Sequence, residues 1–324
     1  MGVRMEKKPI IIAHRGASGY LPEHTIACKA MAYAMGPDFI EQDVVLTRDG
    51  RPIVVHDRFL DTVSNVARLF PARKREDGRY YAVDFTLKEI KGLGVHERVD
   101  RATGRAVYPD RFPENAATRF EIPTLEEEIE LIQGLNKSTG KDIGIYTELK
   151  APAFHAREGK HIEETVLDVL SRYGYSGKDS NCYIQCFEPA SIVFMREKLK
   201  SGLKMIQLIG DNSWEDTPGV DYNRMLTPEG LDEVARYADG IGPWMNQIAA
   251  DQKGKEPQMT RLVEWAHERS LCVHPYTFRY DSIPSYGKSF DDLLDIFFEK
   301  AGVDGIFTDF PDKAVAFLQK AGYR

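Results

Sequence analysis

Cysteine is scarce in this chain: 324 residues hold four thiols, Cys28, Cys182, Cys186 and Cys272. No two of them form a CxxC pair, which excludes a zinc ribbon or a thioredoxin-type redox motif. Cys182 and Cys186 share one strand-like run, where four residues of rise separate Cα atoms by roughly 13 Å. A disulfide needs less than about 7 Å, so the expectation is four buried, unbridged thiols. Long apolar runs are also missing, and none could span a bilayer as a helix. Residues 1–8 lack the apolar stretch of a signal peptide, an absence that has meaning only if the native protein starts there. Clustered positive charge is missing too. Lys and Arg total 43 against 50 Asp and Glu, a net charge of −7, and the one basic run, Ala72-Arg73-Lys74-Arg75, is followed at once by Glu76 and Asp77. A nucleic-acid partner needs a concentrated basic face and is a poor fit. There is no internal repeat and no low-complexity segment.

What remains is a globular composition, 42% hydrophobic and 29% charged, in a chain long enough for one large core. Short β-branched runs alternate with longer helical patterns. Strands are expected at residues 9–13, 38–44, 142–149, 181–187, 203–209, 239–242, 271–276 and 304–307. Eight such runs with helices between them suit an α/β fold closed as a (β/α)₈ barrel, a single domain over residues 1–324. Residues 53–56 follow the Arg48-Asp49-Gly50 turn too closely for a helical crossover, so they should pair back as a hairpin. An alanine-rich helix is expected over 23–35, ending at Gly36-Pro37. Thr86 with Glu89, and Thr124 with Glu127, fit the capping-box pattern. Between about residues 58 and 121 the barrel rhythm breaks. That stretch reads as an insertion near the barrel mouth, with too little apolar content for a core of its own.

The polar residues that matter stand at strand ends, where barrel enzymes place their sites. Glu41 and Asp43 are two apart in a strand, so they face the same way with Cα atoms about 6.6 Å apart. They can hold one hard cation; a lone E-x-D can equally be a solvated edge. Glu148 ends another strand and could complete an all-oxygen site, with Lys150 on the same face set to meet a phosphate oxygen. Alone, E-x-K is an ordinary surface ion pair. His14 and His56 end strand-like runs, and two imidazoles reaching one site form an acid–base pair near neutral pH. Arg15 offers a planar fork to phosphate oxygens, or else a salt bridge to a nearby carboxylate. Gly16-Ala17-Ser18-Gly19 lacks the Lys-Ser/Thr of a P-loop, so its glycines serve a tight turn. Later strands end in Gln185-Cys186-Phe187, Gly242-Pro243-Trp244, His274-Pro275-Tyr276 and Thr308-Asp309-Phe310. Their aromatic groups can line a pocket or simply pack, and His274 can point outward. No dedicated base marks Cys186 as a nucleophile.

Taken together, these residues closely resemble the glycerophosphodiester phosphodiesterase family. Its pattern of an HRG turn, a PE-x-T helix start, an E-x-D strand, T-x-DG and a strand ending in HD falls here at His14-Arg15-Gly16, Pro22-Glu23-His24-Thr25, Glu41-Gln42-Asp43, Thr47-Arg48-Asp49-Gly50 and His56-Asp57. The later E-x-K is Glu148-Leu149-Lys150. The likeness is greatest to the periplasmic, calcium-using bacterial branch, from His24, Gln42, the long insertion and Asp309-Phe310-Pro311. His24 and Gln42 depart from the wider family pattern, and Tyr276-Thr277 stands where many relatives have Trp-Thr.

The resemblance implies a phosphodiesterase barrel that hydrolyses glycerophosphodiesters such as glycerophosphocholine and glycerophosphoethanolamine to sn-glycerol 3-phosphate and an alcohol, through a cyclic phosphate. It implies one divalent cation, Ca²⁺ ahead of Mg²⁺, on Glu41, Asp43 and Glu148, and an acid–base pair of His14 and His56. Arg15 and Lys150 become phosphate contacts, with Gln185, Phe187 and Tyr276 at the substrate. The implied compartment is the periplasm, the cytoplasm being the alternative. Two rival functions stand beside it: a phospholipase D-like or cyclising lyase acting on lysophospholipids, and a non-catalytic phosphate-ester binder. The first expects an apolar lip and the second has no use for two histidines and three acids. Nothing in the sequence separates monomer from homodimer.

Overall fold

The computed structural model describes residues 8–113, 116–214, 217, 219–252 and 256–324. Eight parallel strands wrap around in the order β10-β7-β6-β5-β4-β2-β1-β11: β1 (Ile10–Ala13), β2 (Phe39–Leu46), β4 (Gly144–Leu149), β5 (Cys182–Cys186), β6 (Lys204–Ile209), β7 (Gly240–Pro243), β10 (Cys272–Val273) and β11 (Gly305–Thr308). β3 (Pro52–Val54) pairs antiparallel with the end of β2, Val44 opposite Val54, forming the anticipated hairpin. β8 (Ala249–Ala250) and β9 (Gln258–Met259) make a small separate ribbon. The fold is therefore the α/β barrel.

The run at 271–276 yields only a two-residue strand. Pro275 has no N–H to donate, and a proline interrupts a ladder for that reason. The barrel closes there through separate bonds instead: Asp304 N–H to Val273 O at 3.0 Å, Phe307 N–H to Pro275 O at 3.0 Å and Phe278 N–H to Phe307 O at 2.8 Å.

Side-chain alternation decides what fills the barrel. Ile12, Phe39, Tyr146, Ile206 and Phe307 point inward and pack on one another. Tyr146 stacks on Tyr183 at 4.8 Å and its hydroxyl meets His274 Nδ1 at 3.0 Å. His274 is thus buried in the barrel interior rather than pointing outward. A Cβ at Gly144 would collide with the Phe39 ring, so glycine makes room for this aromatic layer. The opposite faces of the same strands, including Ile40, Val44, Ile145 and Leu149, pack against the surrounding helices.

The first helix spans Ile26–Met35, with Thr25 as N-cap and Gly36 in the left-handed conformation at its end. It begins three residues later than the composition suggests. His24 has φ +61°, and the turn sends Glu23 to Arg15 and Arg98 and His24 to Asp43 instead of into a helix. Both capping boxes form, at Thr86/Glu89 and Thr124/Glu127.

The insertion buries Leu60, Val63, Val66, Tyr80, Phe85, Ile90, Leu93 and Phe120 together with Val45, Ile53 and Val55 of the hairpin. Its apolar content, thin along the sequence, is sufficient because the β2–β3 hairpin supplies the other wall. All four cysteines are unbridged by disulfide, and Cys28, Cys182 and Cys186 are buried. Among the described residues no helix is long and apolar enough to cross a membrane.

Candidate active site

Strand register assembles the acids. In β2 the inward face that carries Phe39 continues as Glu41 and Asp43. Asp43 lies opposite Glu148 of β4, and Glu148 lies opposite Gln185 of β5, so three neighbouring strands deliver one row of polar groups just above the aromatic layer. Carboxylate oxygens of Glu41, Asp43 and Glu148 all fall within 4.8 Å of one another, and all three residues are buried. Gln185 lines the same cavity, and its Nε2 donates to Glu41 Oε1 at 2.9 Å. Gln42 faces the other way, where its Nε2 donates to Ile40 O at 2.9 Å.

The same logic places the histidines. Ala13 pairs with Thr308, which sets the next residues, His14 and Asp309, side by side. His14 Nδ1 lies 2.5 Å from Asp309 Oδ1 and its Nε2 lies 3.9 Å from Glu41. Beyond the hairpin, His56 Nδ1 lies 2.7 Å from Asp57 Oδ1. An ionised carboxylate only accepts, so each Nδ1 carries a proton and each Nε2 is left for chemistry. Burial lowers both imidazoles to about 4, helped by the Arg15 cation and, at His56, by Lys150.

Arg15 makes the salt bridge its sequence allows, its guanidinium pairing with Glu23 at 2.9 Å, and also reaches the cavity. Its backbone, at φ +56°, turns the N–H toward Glu41 Oε2 at 2.7 Å. The next residue, Gly16 at φ +94°, has Cys28 Sγ where a Cβ would stand, so only glycine fits that turn. Lys150 Nζ lies 2.6 Å from Glu148 Oε1. Burial works against the ammonium, but Glu148 and Asp43 outweigh it and keep it charged.

Electrostatically the acid cluster is frustrated. Burial and the charges of Asp43 and Glu148 push Glu41 well up, while burial and Asp43 push Glu148 up to about 8. Burial also penalises Asp43, yet Lys150 and His24 overcome it and hold that carboxyl low. His24 Nε2 lies 2.7 Å from Asp43 Oδ2, whereas Asp43 Oδ1 and Gln185 Oε1 are buried without a hydrogen-bond partner. Buried acceptors left unmatched point to a missing positive charge or donor. An all-oxygen set of this kind suits a hard divalent cation.

His14, Arg15, Glu41, His56, Glu148 and Lys150 line one cavity of about 350 Å³. Its far wall is aromatic: Phe187 stands edge-on to Tyr276 at 5.8 Å and to Tyr222 at 6.3 Å, and Trp214 lies 5.6 Å from Trp244. Cys186 also lines the cavity, but burial and Glu188 push its thiol far up. That leaves no thiolate for nucleophilic attack.

Sequence reading assigned no role to Asp309, Asp57, Glu23 or Arg279, although the first three sit within quoted motifs. A carboxylate directly after the last barrel strand was the available signal for Asp309. Nothing in the sequence marks Arg98 or Arg111, which come from the insertion.

The profile of the glycerophosphoryl diester phosphodiesterase family matches residues 14–313. The chain belongs to that family. A glycerophosphodiester phosphodiesterase of Haemophilus influenzae is 44% identical over 333 residues, covering 98% of this chain and 91% of that protein. One from Treponema pallidum is 36% identical, covering 96% and 92%. Among solved structures, a putative glycerophosphoryl diester phosphodiesterase from Silicibacter pomeroyi superposes with a TM-score of 0.74 at 25% identity, over 98% of this chain and 96% of that one. An Oleispira antarctica phosphodiesterase, solved in complex with the product sn-glycerol-3-phosphate, shares the fold at a TM-score of 0.63 and 20% identity, over 96% and 97%. Glycerophosphoryl diester phosphodiesterases thus supply both the sequence and the fold neighbours of this barrel.

Proposed function

We propose that the protein hydrolyses glycerophosphodiesters to sn-glycerol 3-phosphate and an alcohol. The observation that carries this reading is the meeting of two acid-anchored histidines, His14 and His56, with Glu41 and Glu148 in one cavity, where those two acids cluster with Asp43. Family membership and the product held by the Oleispira relative support it.

Glu41, Asp43 and Glu148 would hold the divalent cation, calcium in this reading. When bound, such an ion screens phosphate charge and lowers the pKa of a coordinated hydroxyl. Arg15 and Lys150, two of the charged donors at the cavity wall, orient the phosphate. One histidine takes the proton of the glycerol 2-hydroxyl at its free Nε2 as that oxygen attacks phosphorus. The other, starting as an imidazolium, gives its Nε2 proton to the departing alcohol. Water opens the resulting cyclic phosphate with the two roles exchanged. Each acid–base role is typically worth about 10²–10⁴ in rate. Phe187 and Tyr276 flank the alcohol. The periplasm is the compartment that goes with this reading.

The test is incubation with glycerophosphocholine, followed by a coupled assay for glycerol 3-phosphate. Product should form, stop on adding chelator and resume with excess Ca²⁺. Absence of product from glycerophosphocholine and glycerophosphoethanolamine overturns the proposal, and undiminished activity in excess chelator removes the cation from it.

A further inference from the structure

We propose that the insertion serves the chemistry through two arginines, Arg98 and Arg111, each of which holds the aspartate that orients one of the two histidines. This rests on the functional reading above, in which His14 and His56 are the acid–base pair.

Both aspartates divide their oxygens in the same way. Asp57 gives Oδ1 to His56, while Oδ2 accepts from Arg98 Nη1 at 2.6 Å and from Thr62 at 3.1 Å. Asp309 gives Oδ1 to His14, while Oδ2 accepts from Arg111 Nη2 at 2.8 Å and from Arg279 Nε at 2.8 Å. A carboxylate held by only one oxygen can rotate about its own bond. A cation on the second oxygen stops that rotation and presents the first oxygen to the imidazole in a fixed plane.

Arg98 also grips Glu23 with two nitrogens, at 2.6 and 3.0 Å, and Glu23 in turn pairs with Arg15. The path His56–Asp57–Arg98–Glu23–Arg15 therefore joins a proposed acid–base group to a proposed phosphate contact through one guanidinium. Arg111 donates in addition to Ser18 O at 3.2 Å, and Ser18 Oγ donates to His14 O at 2.8 Å.

The burial is as informative as the bonding. The Arg98 and Arg111 side chains are only 15% and 4% exposed. Taking a guanidinium out of water is costly unless its partners are well placed, so a segment that merely covered the barrel mouth would have no reason to bury two. The arrangement is also asymmetric. Asp309 has a second cation in Arg279, whereas among the described residues Asp57 Oδ2 has only Arg98 and the Thr62 hydroxyl. Loss of Arg98 should consequently be felt more than loss of Arg111.

These are positioning residues, and the decisive readout is the His56 ring itself. In full-length protein labelled with ¹⁵N-histidine, wild-type His56 should show a protonated Nδ1. Arg98→Met should leave a mixture of tautomers and lower kcat on glycerophosphocholine by about 10–100-fold, part of the 10²–10⁴ that an acid–base group supplies. Arg98→Lys, which keeps the charge but not the fork, should retain the tautomer and lose severalfold in kcat. Arg111→Met should lose less than Arg98→Met. A folded Arg98→Met protein with the wild-type His56 spectrum overturns the proposal. So does an Arg98→Lys protein with undiminished kcat, even if Arg98→Met does not fold. Should the wild-type protein turn over no glycerophosphodiester, the functional reading fails, and the His56 spectrum alone decides this inference.

Discussion

Asp309 accepts a 2.5 Å hydrogen bond from His14 Nδ1 although 295 residues of chain separate them. Neighbouring first and last strands of a closed barrel make that contact, and Arg111 and Arg279 keep the carboxyl ionised against the cost of burial. Asp309→Asn can offer an amide N–H where His14 needs an acceptor. The imidazole would then turn or change tautomer. We expect kcat to fall by about 10² or more, in line with the loss of a histidine's orienting acid, while circular dichroism still shows the fold. A kcat within twofold of wild type would deny Asp309 that role.

His14→Ala and His56→Ala should each lower turnover of glycerophosphocholine by at least about 10² without unfolding the barrel, because both side chains line the cavity rather than the core. Near-normal activity in either variant removes that histidine from the mechanism.

His24 holds Asp43 Oδ2 and so sets the angle of one proposed cation ligand. Outer partners of this kind are typically worth about 10–100-fold in metal affinity. Calcium titration calorimetry of His24→Ala should show a weakening of that size, whereas equal affinity would mean that Asp43 needs no support.

Lys29 and Glu128 form a completely buried ion pair at 2.9 Å behind β2, and Lys29 also donates to Glu41 O. Lys29→Met strands the Glu128 carboxyl and should cost about 3–5 kcal/mol in urea unfolding. Adding Glu128→Leu should recover most of it, because the lone charge then disappears. A double variant no more stable than the single one would show that the pair's worth lies elsewhere.

His155 is fully buried. Its Nε2 accepts from Leu46 N–H and its Nδ1 faces Ala151 O, so the ring must be neutral, and burial lowers it to about 4. The unfolded chain takes up that proton near pH 6.5 and the native one only near 4. Stability therefore falls as pH drops through that window, by at most about 3 kcal/mol for this group at 1.36 kcal/mol per pKa unit. His155→Gln should flatten the loss of Tm between pH 6.5 and 4. An unchanged slope would locate the effect in other groups.

Much of this was legible in one dimension. Period-two alternation in residues 39–43 put Glu41 and Asp43 on one face, and a proline, a glycine turn or a hydroxyl cap marked most element boundaries. Position 275 shows where that reading stopped. Its proline was visible, yet only the barrel's closure revealed which bonds replace the ladder. The start of the first helix was misplaced because His24 adopts a left-handed backbone to serve Asp43, a demand that comes from across the barrel. The insertion looked poor in apolar residues because Val45, Ile53 and Val55 of the hairpin complete its core.

Local chemistry is written in the chain: which residues can bind phosphate, ligate a hard ion or move a proton, and which of them stand at strand ends. Strand geometry acts over a few residues, so the sequence alone determined the barrel class and the motif positions. Only the tertiary structure decided which oxygen each imidazole faces, how Asp43, Glu148 and Gln185 align, and that Arg98 and Arg111 reach the aspartates. Those contacts join segments tens to hundreds of residues apart, and closure of the sheet and docking of the insertion, rather than any local pattern, set their distances.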